Sequence, residues 1–166
     1  MSDERVLVLV GPMGVGKTTV GKKLARALKL PFVDTDALVV KQHGEIAQIF
    51  ANQGEAVFRG FEEDAVATAL STPSVIATGG GAVLSAKTQS LLKAATVIYL
   101  STDGRHIASR LRGGKRPLVK NGFEDWKRIY EERKPVYEKV ADITVNTSGQ
   151  SLGATLAEIK KRLEEL

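Results

Sequence analysis

The sequence predicts a three-layer α/β fold in which helices cover both faces of a five-stranded parallel sheet. Short apolar runs alternate along the chain with segments whose apolar residues recur at helical spacing. A glycine-rich turn joins the first of these runs to the first helical segment. Parallel strands need helical crossovers and are buried on both faces, which explains both the alternation and the apolar runs. Ligands of such folds lie beyond the carboxyl ends of the strands, so we expect the functional site there.

The predicted strands are short apolar segments bounded by glycine, proline or polar residues. The first, Val6–Val10, ends at Gly11, and the second begins with Phe32 directly after Pro31. The third runs into three consecutive glycines, and the fourth has the buried sequence TVIYL. Strands are therefore predicted at 6–10, 32–36, 74–78, 96–100 and 143–147.

The predicted helices carry apolar residues on one face. The last one has four of them, Leu152, Leu156, Ile159 and Leu163. Helices are predicted at 18–29, at 37–50 with an interruption near Gly44, after Gly54 as far as 69, at 85–94, at 103–111, at 123–140 with a break or kink near Pro135, and from 151 onwards.

Composition limits the class of protein. At 166 residues the chain is long enough to bury a substantial core, and we predict a single domain over residues 1–166. The absence of cysteine excludes disulfides, thiolate nucleophiles and cysteine-ligated zinc. The N-terminal apolar run is too short for a membrane span, and no small-residue cleavage site follows it. We therefore expect a cytoplasmic protein that does not bind membranes, and this length favours a monomer.

The most specific motif lies between the first strand and the first helix. Gly11, Gly16, Lys17 and Thr18 satisfy the spacing G-x-x-x-x-G-K-[ST], in which backbone N–H groups surround phosphates, the lysine reaches the outer phosphates and the hydroxyl holds Mg²⁺. Gly14 is a further position where a Cβ would keep the backbone away from an anion. The following helix directs its N-terminal N–H groups at the same anion. The motif predicts a site for nucleotide phosphates and Mg²⁺.

Two carboxylates, Asp34 and Asp36, end the second predicted strand. If strand geometry persists, residues two apart lie on the same face. One carboxylate would then lie near Mg²⁺, and the other would accept a proton or hydrogen bond from a substrate hydroxyl. A polar turn in which an aspartate caps the next helix explains the pair equally well. The third strand, SVIAT, lacks the terminal acid that usually holds Mg²⁺ beside such loops, which favours Asp34 as the metal ligand.

A candidate receptor for a carboxylate follows on the next helices. Arg59 and Glu62 are three residues apart, so they can pair and hold the guanidinium for bidentate binding, although an ordinary surface pair has the same spacing. Gly79, Gly80 and Gly81 leave room for backbone beside a ligand, and the alternative is a tight turn. Arg133 is either a second receptor or a helix-surface arginine.

A basic segment, RGGKRPLVKNG at residues 112–122, is predicted to be a mobile lid. Its cations, with Arg110 just before it, are Arg112, Lys115 and Arg116. Cations that close over a transferring phosphoryl group stabilise its charge and exclude water. The net charge of +5 is also compatible with a solvated charge run or a nucleic-acid surface.

Six segments in this order, the phosphate loop, FVDTD, FRGFEE, TGGGAV, KRPL and ERKPVY, resemble the shikimate kinase family from Val6 to Gln150. The resemblance implies a P-loop kinase fold with a mobile lid. It also implies an ATP-dependent kinase that transfers the γ-phosphate of ATP to the 3-hydroxyl of shikimate, on the route to aromatic amino acids. The expected partners are ATP, Mg²⁺ and shikimate, without nucleic acid.

The resemblance also assigns roles to individual residues. The ATP-binding residues would be Gly14, Val15, Gly16, Lys17, Thr18, Thr19, Arg110, Arg116 and Gln150. Shikimate would be bound by Asp36, Arg59, Gly80 and Arg133, supported by Glu62, Gly79 and Gly81. The catalytic residues would be Lys17, Asp36 and Arg116, and the metal ligands Thr18 and Asp34. Family lids vary in length, so the arginine beside the adenine is either Arg110 or Arg112. His43, His106 and Trp126 match no predicted site, and we expect them to be structural or on the surface.

Other functions fit parts of this pattern. A kinase for gluconate or for a nucleoside monophosphate would use the same phosphate loop, but two arginines together with Asp36 favour a hydroxylated carboxylic acid over a nucleobase. A nucleic-acid-binding module would explain the positive charge, but the lid cations lie beside the nucleotide site. A relative that has lost catalysis is disfavoured by the retained Lys17, Asp34, Asp36 and Arg116.

Overall fold

A computed structural model of the chain describes residues 3–107 and 122–166. Along the chain its elements are β1 (Val6–Val10), α1 (Lys17–Leu28), β2 (Phe32–Asp34), α2 (Thr35–His43), α3 (Ile46–Gln53), α4 (Glu55–Ala69), β3 (Ser74–Ala77), a 3₁₀ turn (Ala82–Leu84), α5 (Ala86–Leu92), β4 (Thr96–Ser101), α6 (Phe123–Val140), β5 (Ile143–Asn146) and α7 (Leu152–Glu164). The predicted alternation of strands and helices is confirmed. Residues 112–121 of the predicted lid and residues 108–111 of the predicted helix at 103–111 lie outside the described residues. The start of that predicted helix is wrong, because residues 103–106 form a bend and a turn, where Thr102 and Asp103 accept hydrogen bonds from the backbone N–H groups of Gly104 and Arg105.

The sheet is parallel throughout and has the strand order β2-β3-β1-β4-β5. The central strand β1 pairs with β3 on one side and β4 on the other, and Leu9 is opposite both Ala77 and Ile98. All strands therefore end at one edge, where the turns after β1, β2 and β3 meet. This is the edge at which parallel α/β sheets bind ligands.

Side chains of β1 alternate between two apolar layers, as strand geometry requires. Leu7 and Leu9 pack on the side of α1 and α7, whereas Val8 and Val10 pack on the side of α5 and α6. All four side chains are fully buried. Two cores on opposite faces of one sheet confirm the predicted three-layer α/β architecture.

A third, smaller apolar cluster holds α2, α3 and α4 together. It consists of Val39, Ile49, Phe58 and Ala65. Phe58 is 4% exposed and immediately precedes Arg59 in α4. Burial of this helical face therefore sets the direction of the neighbouring arginine, which points towards the edge of the sheet.

The second strand is shorter than predicted, and this changes the position of Asp36. β2 ends at Asp34, and α2 begins at Thr35. The Oδ1 atom of Asp34 accepts hydrogen bonds from the backbone N–H groups of Asp36, at 2.9 Å, and Ala37, at 3.2 Å. This N-cap starts the helix early. Asp36 is thus a helical residue, so the strand geometry on which the shared-face prediction depends does not persist, although both carboxylates line the same cavity.

Two other predictions need correction. α6 continues through Pro135, so the predicted break is absent although proline removes one helical donor, and the alternative of a kink stays a prediction. The residue four positions earlier, Glu131, is exposed, so its carbonyl can be solvated. Leu152, predicted on the buried stripe of α7, is 36% exposed, whereas Ile159 and Leu163 of the same stripe are buried. Among the described helices, none is long and apolar enough to cross a membrane.

Candidate active site

The loop between β1 and α1 has the backbone geometry of a phosphate site. Gly11, Gly14 and Gly16 have φ angles of 148°, 81° and 105°, a region that side chains with a Cβ rarely adopt. A Cβ on Gly11 would also lie 2.6 Å from the Leu100 carbonyl oxygen. The Nζ atom of Lys17 donates to the carbonyl oxygens of Gly11, at 2.7 Å, and Pro12, at 2.9 Å. The lysine thus lies folded along the loop, next to the predicted phosphate position.

Asp34 uses its two oxygens for two different tasks. Oδ1 caps α2, while Oδ2 accepts a hydrogen bond of 3.0 Å from the Thr18 hydroxyl. The helix cap raised by the sequence is therefore confirmed for Oδ1, whereas the alternative role of Asp34 as a Mg²⁺ ligand stays a prediction. Oxygen ligands of this kind suit Mg²⁺, which keeps several waters and needs only one or two protein ligands beside phosphates. Over residues 3–107 and 122–166, no group of three or more His, Cys, Asp or Glu could form another metal site.

Asp36 faces the same cavity as the phosphate loop. Burial raises the pKa of its carboxyl above the ordinary value of 3.8, and the negative charge of Asp34 raises it further. The charges of Lys17 and Arg59 oppose this rise. A carboxylate with a raised pKa is a better proton acceptor than an ordinary aspartate, because catalytic efficiency improves as the pKa approaches the working pH.

Arg59 is held by two carboxylates of its own helix. Its Nη1 atom lies 2.8 Å from Glu62 Oε1, and its Nη2 atom lies 3.2 Å from Glu55 Oε2. Glu62 is 2% exposed, and burial raises its pKa against the opposing charge of Arg59. Its second oxygen, Oε2, makes no hydrogen bond to the described residues. The pair is therefore a buried, oriented one rather than an ordinary surface ion pair.

The glycine triplet after β3 is where these side chains meet. A Cβ on Gly79 would lie 2.8 Å from Asp36 Oδ1 and 2.9 Å from Glu62 Oε2, and a Cβ on Gly81 would lie 2.6 Å from Arg59 Nη1. Real Cβ atoms essentially never approach so closely. Because Gly79 and Gly81 have no side chains, the carboxylates of Asp36 and Glu62 and the guanidinium of Arg59 can occupy the space beside the triplet.

α6 closes the other side of the triplet. Arg133, 7% exposed, places Nη1 3.5 Å from the Cβ position of Gly80. Tyr137, one turn further on, donates a hydrogen bond to the Gly80 carbonyl oxygen. Sequence reasoning identified Arg133 but missed Tyr137, although the i, i+4 spacing of the two residues puts them on the same helical face.

A cavity of about 530 Å³ extends from the triplet past the phosphate loop to the start of α7. Its lining includes Gly14, Val15, Gly16, Lys17, Thr18, Thr19, Asp34, Asp36, Gly79, Gly80, Thr147, Gln150, Leu152 and Thr155. The exposed position of Leu152 at this end explains why it is not part of the core. Thr147, Leu152 and Thr155 are lining residues that sequence reasoning missed, because their side-chain types carry no specific signal.

Two sets of residues remain, the cations in and before the predicted lid and the three residues for which the sequence predicts no site. Arg110, Arg112, Lys115 and Arg116 lie outside the described residues. Of the three residues without a predicted site, His43 stacks on Phe61 with ring centroids 3.5 Å apart, and His106 is exposed. Trp126 is buried, and its indole N–H donates a 2.8 Å hydrogen bond to the Met13 carbonyl oxygen of the phosphate loop.

Comparison with known proteins gives a consistent result. A family model for shikimate kinase matches residues 13–164. A shikimate kinase of Streptomyces coelicolor is 44% identical, over 88% of each chain. One of Vibrio cholerae is 41% identical, over 99% of this chain and 98% of that one. The structure of shikimate kinase from Acinetobacter baumannii in complex with shikimate superimposes with a TM-score of 0.93 and 34% identity, covering 99% of this chain and 95% of that one. This chain therefore belongs to the shikimate kinase family.

Proposed function

We propose that this chain transfers the γ-phosphate of ATP to the 3-hydroxyl of shikimate, giving shikimate 3-phosphate and ADP in the biosynthesis of aromatic amino acids. The observation that carries the proposal is the convergence of Asp36, Arg59 and Arg133 on the glycine triplet, beside a phosphate loop. A carboxylate suits a substrate hydroxyl, and guanidinium groups suit a substrate carboxylate. The acceptor is accordingly a hydroxylated carboxylic acid.

The nucleotide half of the site is assigned to one side of the cavity. The backbone from Gly14 to Thr19 and the N-terminus of α1 hold the phosphates, with Lys17 and Arg116 on the transferring group. Gln150, at the α7 end of the cavity, lies beside the adenine together with Arg110 or Arg112. Thr18 and Asp34 hold Mg²⁺, which neutralises charge on the phosphate oxygens.

The acceptor half is assigned to the glycine triplet. Arg59 and Arg133 bind the shikimate carboxylate, and Glu62 keeps Arg59 in the required orientation. Asp36 accepts the proton of the 3-hydroxyl as the new oxygen–phosphorus bond forms and the bond from the γ-phosphorus to the bridging oxygen of ADP breaks. Gly80 lies beside the substrate, and Gly79 and Gly81 support the site because they leave room for the side chains of Asp36, Glu62 and Arg59.

The wider properties of the protein follow from this assignment. We propose a single domain over residues 1–166 that works as a cytoplasmic monomer on two small substrates, with no nucleic-acid or membrane partner. The half-buried, paired state of Arg59 and the buried state of Arg133 support this proposal, because part of the positive charge lies beside the glycine triplet rather than on an open surface.

The product of the reaction tests the proposal at the level of single atoms. Purified protein is incubated with ATP, Mg²⁺ and shikimate, and the product is analysed by ¹H–³¹P correlation NMR. The expected spectrum shows phosphorus coupled to the proton on C3 of the ring. Phosphorus coupled to another ring position, or no phosphate ester at all, would refute the proposal.

A further inference from the structure

One face of α6 contacts both halves of the proposed site. Trp126, Tyr130, Arg133 and Tyr137 follow one another at intervals of four, three and four residues, so they lie along a single helical stripe. All four side chains are buried. Trp126 bonds to the phosphate loop, and Tyr137 bonds to Gly80. The helix is therefore positioned to fix one half of the site relative to the other.

The orientation of the Trp126 indole is determined by its neighbours. Its ring lies between Phe123 and Tyr130, with centroid distances of 5.5 Å and 5.1 Å. A Cβ on Gly104 would lie 3.1 Å from the indole Cζ3 atom, so the ring edge also abuts the backbone there. With the ring fixed in this way, its N–H points at the Met13 carbonyl oxygen, 2.8 Å away.

The Met13 carbonyl belongs to the same planar peptide unit as the N–H of Gly14. In a trans peptide these two groups point in opposite directions. A donor that holds the carbonyl on the α6 side therefore directs the Gly14 N–H to the other side. Met13 and Gly14 both line the cavity of the phosphate loop. The bond from Trp126 thus holds the orientation of a peptide that borders the cavity of the phosphate loop.

Gly80, in the acceptor half of the site, lies next to both the phosphate loop and α6. Its Cβ position lies 3.3 Å from the Met13 backbone nitrogen and 3.5 Å from Arg133 Nη1. The loop, the triplet and α6 are therefore packed against one another at Met13. Within this packing, the Trp126 indole is the group that bonds to the Met13–Gly14 peptide.

We propose that Trp126 is a positioning residue for ATP binding, which presets the Met13–Gly14 peptide through its indole N–H. The inference rests on the proposed function, because it takes the loop as the ATP site. Preset donors lower the cost of ordering the loop when the phosphates bind. We therefore expect the bond from Trp126 to strengthen the binding of ATP and to leave the affinity for shikimate unchanged.

The test removes the N–H while keeping an aromatic ring. Trp126→Phe is expected to raise the KM and the calorimetric Kd for ATP about three- to tenfold, the size expected for one buried hydrogen bond. We expect kcat and the KM for shikimate to stay within about twofold of the wild type. Replacing Trp126 with benzothienylalanine, in which sulfur takes the place of the N–H, keeps the bicyclic shape and is expected to give the same loss. This second variant answers the question if the phenylalanine variant does not fold.

Tyr130→Phe is the matched control. Its hydroxyl lies on the same stripe of α6 but contacts Tyr99 and the Thr102 N–H rather than the phosphate loop. It is expected to lower the melting temperature without changing ATP affinity. Unchanged ATP affinity in a folded Trp126 variant, or an equal loss for both substrates, would overturn the positioning role. An inactive wild-type protein that still binds ATP would refute the proposed function instead, and calorimetry would still decide the role of Trp126.

Discussion

At the scale of single residues, Asp34 shows how one side chain serves both the fold and the site. Its Oδ1 atom caps α2, and its Oδ2 atom bonds to Thr18 of the phosphate loop. The start of the helix therefore fixes the position of the proposed metal ligand. The same cap places Asp36 in the first turn of α2, where it faces the cavity.

Asp36→Asn tests the proposed proton acceptor. Because the amide cannot accept the hydroxyl proton, we expect kcat to fall by about two to four orders of magnitude. ATP does not contact this side chain in the proposed site, so its Kd from calorimetry should stay within about twofold of the wild-type value. Turnover close to that of the wild type would contradict the assigned role.

The same variant has an expected effect on stability. The pKa of Asp36 is raised in the folded state, so the carboxyl binds more protons there than in the unfolded chain. The stabilisation that this raised pKa adds to the free energy of unfolding is fully present below pH 3.8, the ordinary pKa, and is lost as the pH rises through the folded-state pKa. We therefore expect Asp36→Asn to gain stability relative to the wild type as the pH rises above 3.8, measured by urea unfolding. A stability difference that does not vary with pH would contradict this account.

Arg133→Lys tests the carboxylate receptor. Lysine keeps the charge but loses the planar bidentate donor, so the KM for shikimate should rise about tenfold or more while the KM for ATP changes little. Arg128→Lys, on the exposed side of the same helix, is the matched control and should change neither constant. Equal losses for ATP and shikimate in the Arg133 variant would show that the residue acts on the fold as a whole.

At the scale of elements, the turn after β3 sets the geometry of the acceptor side. Gly79→Ala places a methyl group 2.8 Å from Asp36 Oδ1 and 2.9 Å from Glu62 Oε2, so the carboxylates must shift. Displacing a reacting group by about 1 Å costs about a hundredfold in rate, so we expect kcat/KM for shikimate to fall by that order.

The control for this change is Gly60→Ala, in α4 next to Arg59. Nothing lies within 4 Å of its Cβ position, so the variant should keep full activity and gain about 0.5–1 kcal/mol of stability from the helical preference of alanine. Full activity in the Gly79 variant would contradict the role given to the triplet.

At the scale of the whole molecule, the sheet and its layers follow from patterns that are local in sequence. Apolar runs, glycine turns and helical spacing predict the parallel sheet and place the phosphate loop, Asp34 and the glycine triplet at one edge. The boundary between β2 and α2 was wrong, because a side-chain cap on Asp34 competes with strand geometry and the sequence supports both. The sequence predicts that Trp126 is structural or on the surface, but it does not predict the contacts of Trp126 and Tyr137, since their partners, Met13 and Gly80, are distant in sequence.

The central claim is that the two halves of the site select shikimate as the phosphate acceptor. A coupled assay of ADP release across shikimate, gluconate and AMP, each with ATP and Mg²⁺, tests it most directly. We predict turnover with shikimate at least about a hundredfold above that with the other two acceptors, because neither offers both the ring hydroxyls and the carboxylate in the required arrangement. Turnover with gluconate or AMP but not with shikimate would contradict the claim.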